Sequence, residues 1–167
     1  MSAITEAGVH ACVGGGWGVD ALLGVQTRAH SDLDLWVPAD ELHDLLRSLV
    51  AANVDRVYPW TGDRPWNWVL HDGHSRRVDL HLYEPKPGGE WHYGSVLAGE
   101  CFPPDALAGT GRIGGLEVRC ESPGWALRFR AGYPPREEDR HDVTLLCERF
   151  ELEPPPGFGS DRLDDAQ

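Results

Sequence analysis

The sequence is poor in positive charge. Lys86 is its only lysine, and 15 basic residues stand against 27 acidic ones, so the formal net charge is −12. Non-specific binding to nucleic acid requires a basic surface, and this charge therefore argues against a nucleic-acid partner. The same acidic balance is compatible with a cationic small-molecule substrate, because opposite charges attract.

The sequence also lacks paired cysteines and long apolar segments. Its 4 cysteines are scattered without a C-x-x-C pair, and no hydrophobic run is long enough to span a bilayer. No signal peptide is evident at the N-terminus. We therefore expect a reduced, cytoplasmic protein that has no membrane partner.

The length of 167 residues suits one domain with a real hydrophobic core. We expect this domain to cover residues 1–153. The segment 154–167, PPPGFGSDRLDDAQ, is expected to be a disordered acidic tail. Residues 1–10 are interpreted as too short to form a packed element.

Hydrophobic periodicity and turn residues predict a β-α-β start that is followed by a meander of strands. The predicted strands are 11–13, 32–37, 54–60, 66–71 and 76–83, and the predicted helices are 18–24, 39–51, 123–131 and 136–150. The GTGRIG sequence at 109–114 precedes a strand rather than a helix, so it predicts a hairpin or loop. Residues 84–104 are expected to form an irregular loop. This pattern indicates an α/β (α+β) fold with a small mixed, twisted sheet flanked by helices.

Two aspartates one residue apart, Asp32 and Asp34, lie in a predicted strand whose other residues are apolar. Side chains at i and i+2 share one face of a strand, so the two carboxylates repel each other. At ~5 Å and an effective dielectric near 20 this repulsion is a few kcal/mol, which a divalent cation would offset. Mg²⁺ suits the pair because it binds one or two carboxylates together with water and phosphate oxygens. The alternative is a polar strand end with two solvated acids.

Three consecutive glycines, Gly14, Gly15 and Gly16, come before the predicted helix 18–24. Glycine lets the backbone approach a ligand closely, and a helix N-terminus offers free N–H groups and a positive dipole end to an anion. A phosphate at the glycines and a metal ion at the aspartates would together hold a nucleoside triphosphate.

These two features belong to one longer pattern, G-G-W-x-x-D-x-x-x-G-x-x-T-R-x-H-x-D-L-D, which resembles the antibiotic nucleotidyltransferases. The likeness is to the lincosamide transferases and to the aminoglycoside transferases that act on the 2''-hydroxyl. The matching residues are Gly15, Gly16, Trp17, Asp20, Gly24, Thr27, Arg28, His30, Asp32, Leu33 and Asp34. A weaker likeness covers most of the remaining chain.

The resemblance implies a nucleotidyltransferase fold and the transfer of AMP from ATP to a hydroxyl of a small molecule, with Mg²⁺ and release of pyrophosphate. The nucleotide-binding residues that it implies are Gly15, Gly16, Trp17 and Arg28. Arg28 would either place a phosphate or brace its loop against Asp20.

A third carboxylate, Asp79, completes the site that the resemblance implies. It lies in RVDLHLY at 77–83, where polar and apolar residues alternate. With Asp32 and Asp34 it is expected to bind the metal ion or to act as the catalytic base. The alternative is a surface acid that pairs with Arg77. Two further residues of the same polar face are candidate substrate contacts, namely His81 and Tyr83.

The charged residues near the C-terminus resemble the family segment that packs against the nucleotide site. They are Arg128, Tyr133, Arg136, Asp139 and Asp142. For Arg136 and Asp139 we favour the plainer interpretation, which is a solvated charged face of a helix.

The partners expected from this resemblance are ATP and a small-molecule acceptor. The chain offers no obvious second substrate-binding domain, so acceptor specificity is expected from the 84–104 loop or from a second subunit, and a homodimer is compatible with this. Two alternatives stay open at this point. One is a toxin-type transferase that modifies protein or RNA, and the other is a non-catalytic binding module that kept the fold.

Overall fold

The computed structural model describes residues 1–59 and 66–158. The strands are β1 (Cys12–Val13), β2 (Leu33–Pro38), β3 (Arg56–Pro59), β4 (Trp68–His71), β5 (Arg77–Pro85), β6 (Trp91–Tyr93), β7 (Glu100–Phe102), β8 (Gly109–Ile113) and β9 (Leu116–Cys120). They form one mixed sheet in the order β3-β4-β5-β2-β1-β9-β8, and β6 pairs with β5 and β7. The mixed sheet predicted from the sequence is therefore confirmed, and so is the hairpin at 109–114.

Helices flank this sheet. In the described ranges they are α1 (Ser2–Glu6), α2 (Gly15–Leu23), α3 (Leu42–Ala51), α4 (Pro123–Arg130) and α5 (Glu137–Phe150). Helix α2 begins three residues earlier than predicted, because Gly14 is extended and serves as its N-cap. Gly24 ends the helix in the left-handed conformation, with a φ of 74° that favours glycine.

Strands β2 and β5 are parallel neighbours, and their register positions the polar residues predicted from the sequence. Asp34 pairs with Asp79, and Trp36 pairs with His81 two residues further along. The alternate positions of both strands, Leu35, Val37, Val78 and Leu80, belong to the main core cluster. Period-2 alternation therefore leaves one face of this strand pair apolar, and it puts the predicted polar residues Asp34, Asp79 and His81 on the opposite face.

Among the described residues, the core consists of three clusters of buried side chains. The first lies between the apolar face of β2 and β5 and helices α1 and α3. The second cluster is aromatic. It covers the face of β2 and β5 that carries Asp34 and Asp79, further along these strands than the two acids, and its buried aromatic members are Trp36, Tyr83, Tyr93 and Phe102. The third packs helices α2, α4 and α5 together.

Two predictions about irregular regions were wrong. Residues 1–10 contain helix α1, whose Ile4 is 3% exposed and belongs to the core cluster next to α3. Residues 84–104 are not a loop throughout, because β5 continues into them and β6 and β7 pair there. The aromatic residues of this segment drive the difference, since Tyr93 and Phe102 are 2% and 1% exposed in the aromatic cluster.

The end of the chain is described only to residue 158. Within that limit Phe158 packs against the helical cluster, and Arg140 donates a hydrogen bond to the Gly157 carbonyl at 3.2 Å. Residues 159–167 and residue 60, the end of the predicted strand 54–60, lie outside the described residues. The division into a 1–153 domain and a disordered tail stays a prediction. None of the helices in the described ranges is both long and apolar enough to cross a membrane.

Candidate active site

The glycine turn at the start of α2 lies directly against the first acid of the site. Gly14 donates its N–H to the backbone carbonyl of Asp34 at 3.0 Å, which ties the turn to β2. Gly15 has a φ of 56°, and a Cβ at this position would collide with the Asp34 carboxylate. Position 15 therefore requires glycine for two reasons, the backbone conformation and the close approach of the acid.

Asp34 and Asp79 act electrostatically on Asp32 at the start of β2 and β5. Burial raises the pKa of Asp32, and the negative charges of Asp34 and Asp79 raise it further. Burial also raises the pKa of Asp34, but the His81 hydrogen bond and the charges of His81 and Arg130 outweigh burial and lower it overall. The ionised form is therefore favoured at Asp34 and disfavoured at the neighbouring Asp32.

Asp79 forms the ion pair that the alternative interpretation of the sequence anticipated. Arg77 Nε donates to Asp79 Oδ1 at 2.7 Å and Arg77 Nη2 donates to Asp79 Oδ2 at 2.8 Å. This two-point contact fixes the plane of the carboxylate. Asp79 nevertheless faces the same side as Asp34, because the two residues are in register on adjacent strands. Pairing with Arg77 and proximity to the other acids are thus both present.

His81 turns toward the acids and holds Asp34 in position. Its Nε2 lies 3.2 Å from Asp34 Oδ1, and its Nδ1 lies 3.0 Å from the Tyr93 hydroxyl. The imidazole also stacks on Trp36, with ring centroids 4.7 Å apart. Both ring nitrogens and one ring face of His81 therefore have partners within the protein.

Tyr83 does not reach the acids. It lies four positions beyond Asp79 on β5, opposite Pro38 in the register, and only 4% of it is exposed. Its ring stacks on Trp91 at 4.5 Å within the aromatic cluster. The alternation placed Tyr83 on the correct face of the strand, but that face is covered by aromatic side chains at this end. We therefore assign Tyr83 to packing and not to substrate contact.

Arg28 is next to the glycine turn, but it does not brace its loop against Asp20 as one interpretation had it. The Arg28 Nη2 atom lies only 2.5 Å from the position that a Cβ on Gly16 would occupy. Its Nε and Nη2 donate to the two carboxylate oxygens of Asp142 at 2.9 and 2.8 Å. This hydrogen bond and the Asp142 charge raise the pKa of Arg28, although burial opposes the shift.

Asp20 braces the loop through other residues. It accepts hydrogen bonds from the Thr27 backbone N–H at 3.0 Å and the Thr27 hydroxyl at 2.7 Å. The same carboxylate contacts His30 Nε2, and the His30 ring lies 4.5 Å from the ring of Trp17. The loop between α2 and β2 is therefore held at Thr27 by Asp20 of α2 and at Arg28 by Asp142 of α5.

A sequence model of the aminoglycoside-2''-adenylyltransferase family matches residues 1–146 of this chain. The chain belongs to this family. A 2''-aminoglycoside nucleotidyltransferase of Klebsiella pneumoniae is 30% identical over 122 residues, which are 73% of this chain and 63% of that protein. The chain thus spans less than two thirds of the length of this curated relative.

Solved structures of antibiotic nucleotidyltransferases share this fold. The lincomycin-bound lincosamide antibiotic adenylyltransferase LnuA superposes with a TM-score of 0.72 at 22% identity, covering 87% of this chain and 90% of LnuA. The complex of ANT(2'')-Ia with adenylyl-2''-tobramycin superposes with a TM-score of 0.66 at 23% identity, covering 89% of this chain and 84% of that chain. The nucleotidyltransferase fold expected from the sequence is therefore confirmed.

A buried series of ion pairs and hydrogen bonds runs from Asp142, the partner of Arg28, through Arg130 and Glu121 to Trp36. The sequence interpretation placed Asp142 in the segment that packs against the nucleotide site but predicted none of these individual contacts. Arg130 Nη2 donates to Asp142 Oδ2 at 3.3 Å, and Arg130 Nη1 lies 3.9 Å from Glu121 Oε2. Glu121 Oε1 accepts a 2.7 Å hydrogen bond from the Trp36 indole. Burial raises the pKa of Glu121 to about 7, although Arg130 and the indole oppose this shift.

One signal in the sequence could have found Asp142. The positions 139, 142, 143 and 146 follow the i, i+3, i+4, i+7 spacing of the buried face of α5, and all four are buried. Asp139 belongs to that face too, so its interpretation as part of a solvated surface was wrong. It is 2% exposed and accepts hydrogen bonds from Arg136 Nε at 3.0 Å and the Tyr133 hydroxyl at 2.9 Å.

The acids fit a hard divalent cation that is shared with phosphate. Within residues 1–59 and 66–158, no three or more His, Cys, Asp or Glu side chains are arranged as a complete metal site. Asp32 and Asp34 supply two carboxylates, and Asp79 is occupied by Arg77. Mg²⁺ takes one or two carboxylates and fills its other positions with water and phosphate, so a partial set of protein ligands suits it.

Proposed function

We propose that this protein transfers AMP from ATP to a hydroxyl group of a small-molecule antibiotic and releases pyrophosphate. The observation that carries the proposal is the register of β2 and β5, which aligns Asp34 with Asp79 on one face beside the glycine turn. Transfer of this kind requires positioned phosphates, neutralised charge and a base near the attacking hydroxyl, and little covalent chemistry from the protein.

The nucleotide would bind through its phosphates at the start of α2. Gly15, Gly16 and Trp17 form the first turn of this helix. The N–H groups of a first helical turn have no carbonyl partner within the helix, so they can bind an anion. The Arg28 guanidinium lies over Gly16 and remains charged, so it contributes the positive charge next to these N–H groups.

Asp32 and Asp34 would hold Mg²⁺, which supplies charge neutralisation at the phosphates when it is bound. Asp79 accepts the proton of the acceptor hydroxyl, and the hydroxyl oxygen forms a bond to the α-phosphorus. The bond from this phosphorus to the bridging oxygen breaks, and the electron pair leaves with pyrophosphate. His81 keeps Asp34 oriented through its 3.2 Å contact, and Arg77 keeps Asp79 oriented.

The acceptor would be an antibiotic, because LnuA was solved with lincomycin and ANT(2'')-Ia with adenylyl-2''-tobramycin. An enzyme that consumes ATP and detoxifies an antibiotic would work in the cytoplasm. A homodimer stays a prediction, and the sedimentation coefficient of the purified protein tests it.

The test of the proposed function is an incubation of the protein with α-labelled ATP, Mg²⁺ and a panel of lincosamides and aminoglycosides. The expected result is a labelled antibiotic and stoichiometric pyrophosphate. Label on protein or RNA in place of the antibiotic would support a toxin-type transferase. Nucleotide binding without any labelled product would support a binding module and would contradict the proposal.

Replacing Asp142 by Asn is expected to weaken ATP binding by roughly 10- to 100-fold, by analogy with the loss of a residue that orients a metal ligand. Asn has one oxygen and no charge, so it cannot hold Arg28 through two charge-assisted bonds. The dissociation constant of Mg²⁺-ATP, measured by calorimetry below the melting temperature of the variant, checks this prediction.

The matched control is Asp139→Asn on the same helix. Asp139 is also buried and also pairs with an arginine, but that arginine is Arg136 and not Arg28. We expect this control to lower the melting temperature and to leave the dissociation constant of ATP unchanged. Equal losses of affinity in both variants would mean that Asp142 only supports helix packing.

A further inference from the structure

A cavity of about 360 Å³ opens beside Asp32, between helices α1 and α3 and the start of β2 and β5. We call it the α1–α3 cavity. Its volume lies within the range of small-molecule binding sites. Most of its wall is apolar, with contributions from Ala3, Ile4, Leu33, Leu49, Ala52, Val54 and Val78. The mechanism described above uses only Trp17, Asp32 and Arg77 of this lining and leaves the apolar wall without a role.

The charges around the α1–α3 cavity are almost all neutralised. Among the described residues that line it, Asp32 alone carries a carboxylate. Arg76 donates to Asp72 at 3.0 Å and to the Ala52 carbonyl at 2.7 Å, and Arg77 is held by Asp79. A ligand in the cavity would therefore meet mainly apolar side chains. The polar groups are one carboxylate, three serines, and the side chains of His30, Arg76 and Arg77, which already have partners.

The position of the cavity relative to the acids favours the acceptor as its occupant. Gly15 lies against Asp34, whereas Asp32 lines the cavity. The attacking and leaving oxygens of phosphoryl transfer stand roughly in line on opposite sides of the phosphorus. If pyrophosphate leaves toward the glycine turn, the hydroxyl must approach from the Asp32 side. The acceptor would then extend into the α1–α3 cavity.

We propose that the α1–α3 cavity binds an uncharged, apolar part of the acceptor, so that the substrate is a hydroxylated compound with an alkyl-like arm and few ammonium groups. This inference rests on the proposed function and narrows its substrate class. A polyamine acceptor gains little here, because each ammonium group that enters loses water and finds no free carboxylate beyond Asp32. An alkyl arm gains from leaving water at the same wall.

The test compares two acceptors and two variants. Lincomycin carries an alkyl chain and a single basic amine, and tobramycin carries several amines. Calorimetric titration of each into the protein, with Mg²⁺ and a non-hydrolysable ATP analogue present, is expected to give the tighter binding for lincomycin. In Ala52→Phe the new ring fills the cavity and should weaken lincomycin binding at least tenfold. The affinity for the ATP analogue should stay within twofold of the parent protein.

The matched control is Ala51→Phe, which places the same ring one residue earlier on an exposed position of α3. This control should bind lincomycin as the parent protein does. Ser48→Leu, one turn earlier in α3 and also in the cavity wall, provides a second filling variant in case Ala52→Phe does not fold. Thermal melting of each variant establishes that it is folded.

Three outcomes would overturn the inference. Tighter binding of tobramycin than of lincomycin would contradict the substrate class. Unchanged lincomycin binding in the filled variants would place the acceptor elsewhere, and a loss of nucleotide affinity instead would assign the cavity to the base of ATP. These results are distinct from failure of the proposed function, in which lincomycin binds in the cavity but no labelled product forms.

Discussion

Replacing Asp34 by Asn is expected to lower the rate of AMP transfer by roughly a thousandfold or more and to abolish Mg²⁺-dependent binding of ATP. Asp34 is the acid that lies against the glycine turn, and it accepts the hydrogen bond of His81. The Asn side chain cannot supply the charge that attracts a divalent cation. A bound metal ion contributes several kcal/mol to such a reaction, and about 1.4 kcal/mol corresponds to tenfold in rate.

The fold should tolerate this change. Asn keeps an oxygen that can accept the His81 hydrogen bond, and the substitution removes a negative charge that repels Asp32. We expect the melting temperature without metal to stay within a few degrees of the parent protein. Circular dichroism melts and kinetics at several Mg²⁺ concentrations measure both effects.

The control for this variant is Asp55→Asn, which removes an equal charge from an exposed position before β3. It should leave both the rate and the metal dependence unchanged. If Asp34→Asn retains Mg²⁺-dependent transfer, the metal site must be elsewhere, and the assignment of Asp32 and Asp34 is wrong.

Replacing Asp79 by Asn is expected to stop transfer while leaving ATP binding within a few fold. The loss in rate should be about 10²- to 10⁴-fold, which is the usual contribution of a positioned general base. Asn cannot accept the proton of the acceptor hydroxyl, and it can still occupy the position beside Arg77. Single-turnover kinetics separate the chemical step from nucleotide binding, which is measured by titration.

Asp72→Asn is the matched control, since Asp72 pairs with Arg76 in the turn that leads into the same strand. Any general disturbance of β5 by loss of an Asp–Arg pair should appear in this variant too. We expect it to keep the parent rate. A loss of ATP affinity in Asp79→Asn that matches the loss of rate would make Asp79 a ligand of the bound metal rather than the base.

The parts of the site that lie within one short stretch could be predicted because their geometry is local. Gly14 caps α2 and Gly15 begins it with a φ of 56°, which uses the conformational freedom of glycine. Asp34 lies in β2 and Asp32 comes directly before that strand, so strand geometry fixes the face of Asp34 but not that of Asp32. The same alternation in β5 placed Asp79 on a polar face. These positions could be assigned without knowing which strands are neighbours.

The sequence predicted a loop at 84–104 because the strand propensity of single residues says little about whether a strand of three residues forms. Trp91 and Tyr93 occupy a strand of only three residues, which forms because it pairs with β5 and buries aromatic rings. Proline and glycine in the turns on either side dominate the local pattern. Strand preference at such positions depends on burial and cross-strand neighbours, which the sequence does not contain.

The sequence by itself determined that two strands would each present acids on one face and that a glycine turn would open a helix beside them. Tertiary structure decided what those groups contact. Arg28 and Asp142 are 114 residues apart along the chain and meet because α5 packs on α2, and His81 reaches Asp34 because β2 and β5 are parallel neighbours in register. Strand and helix periods fix which face a residue occupies, whereas its partner depends on which element is packed against that face.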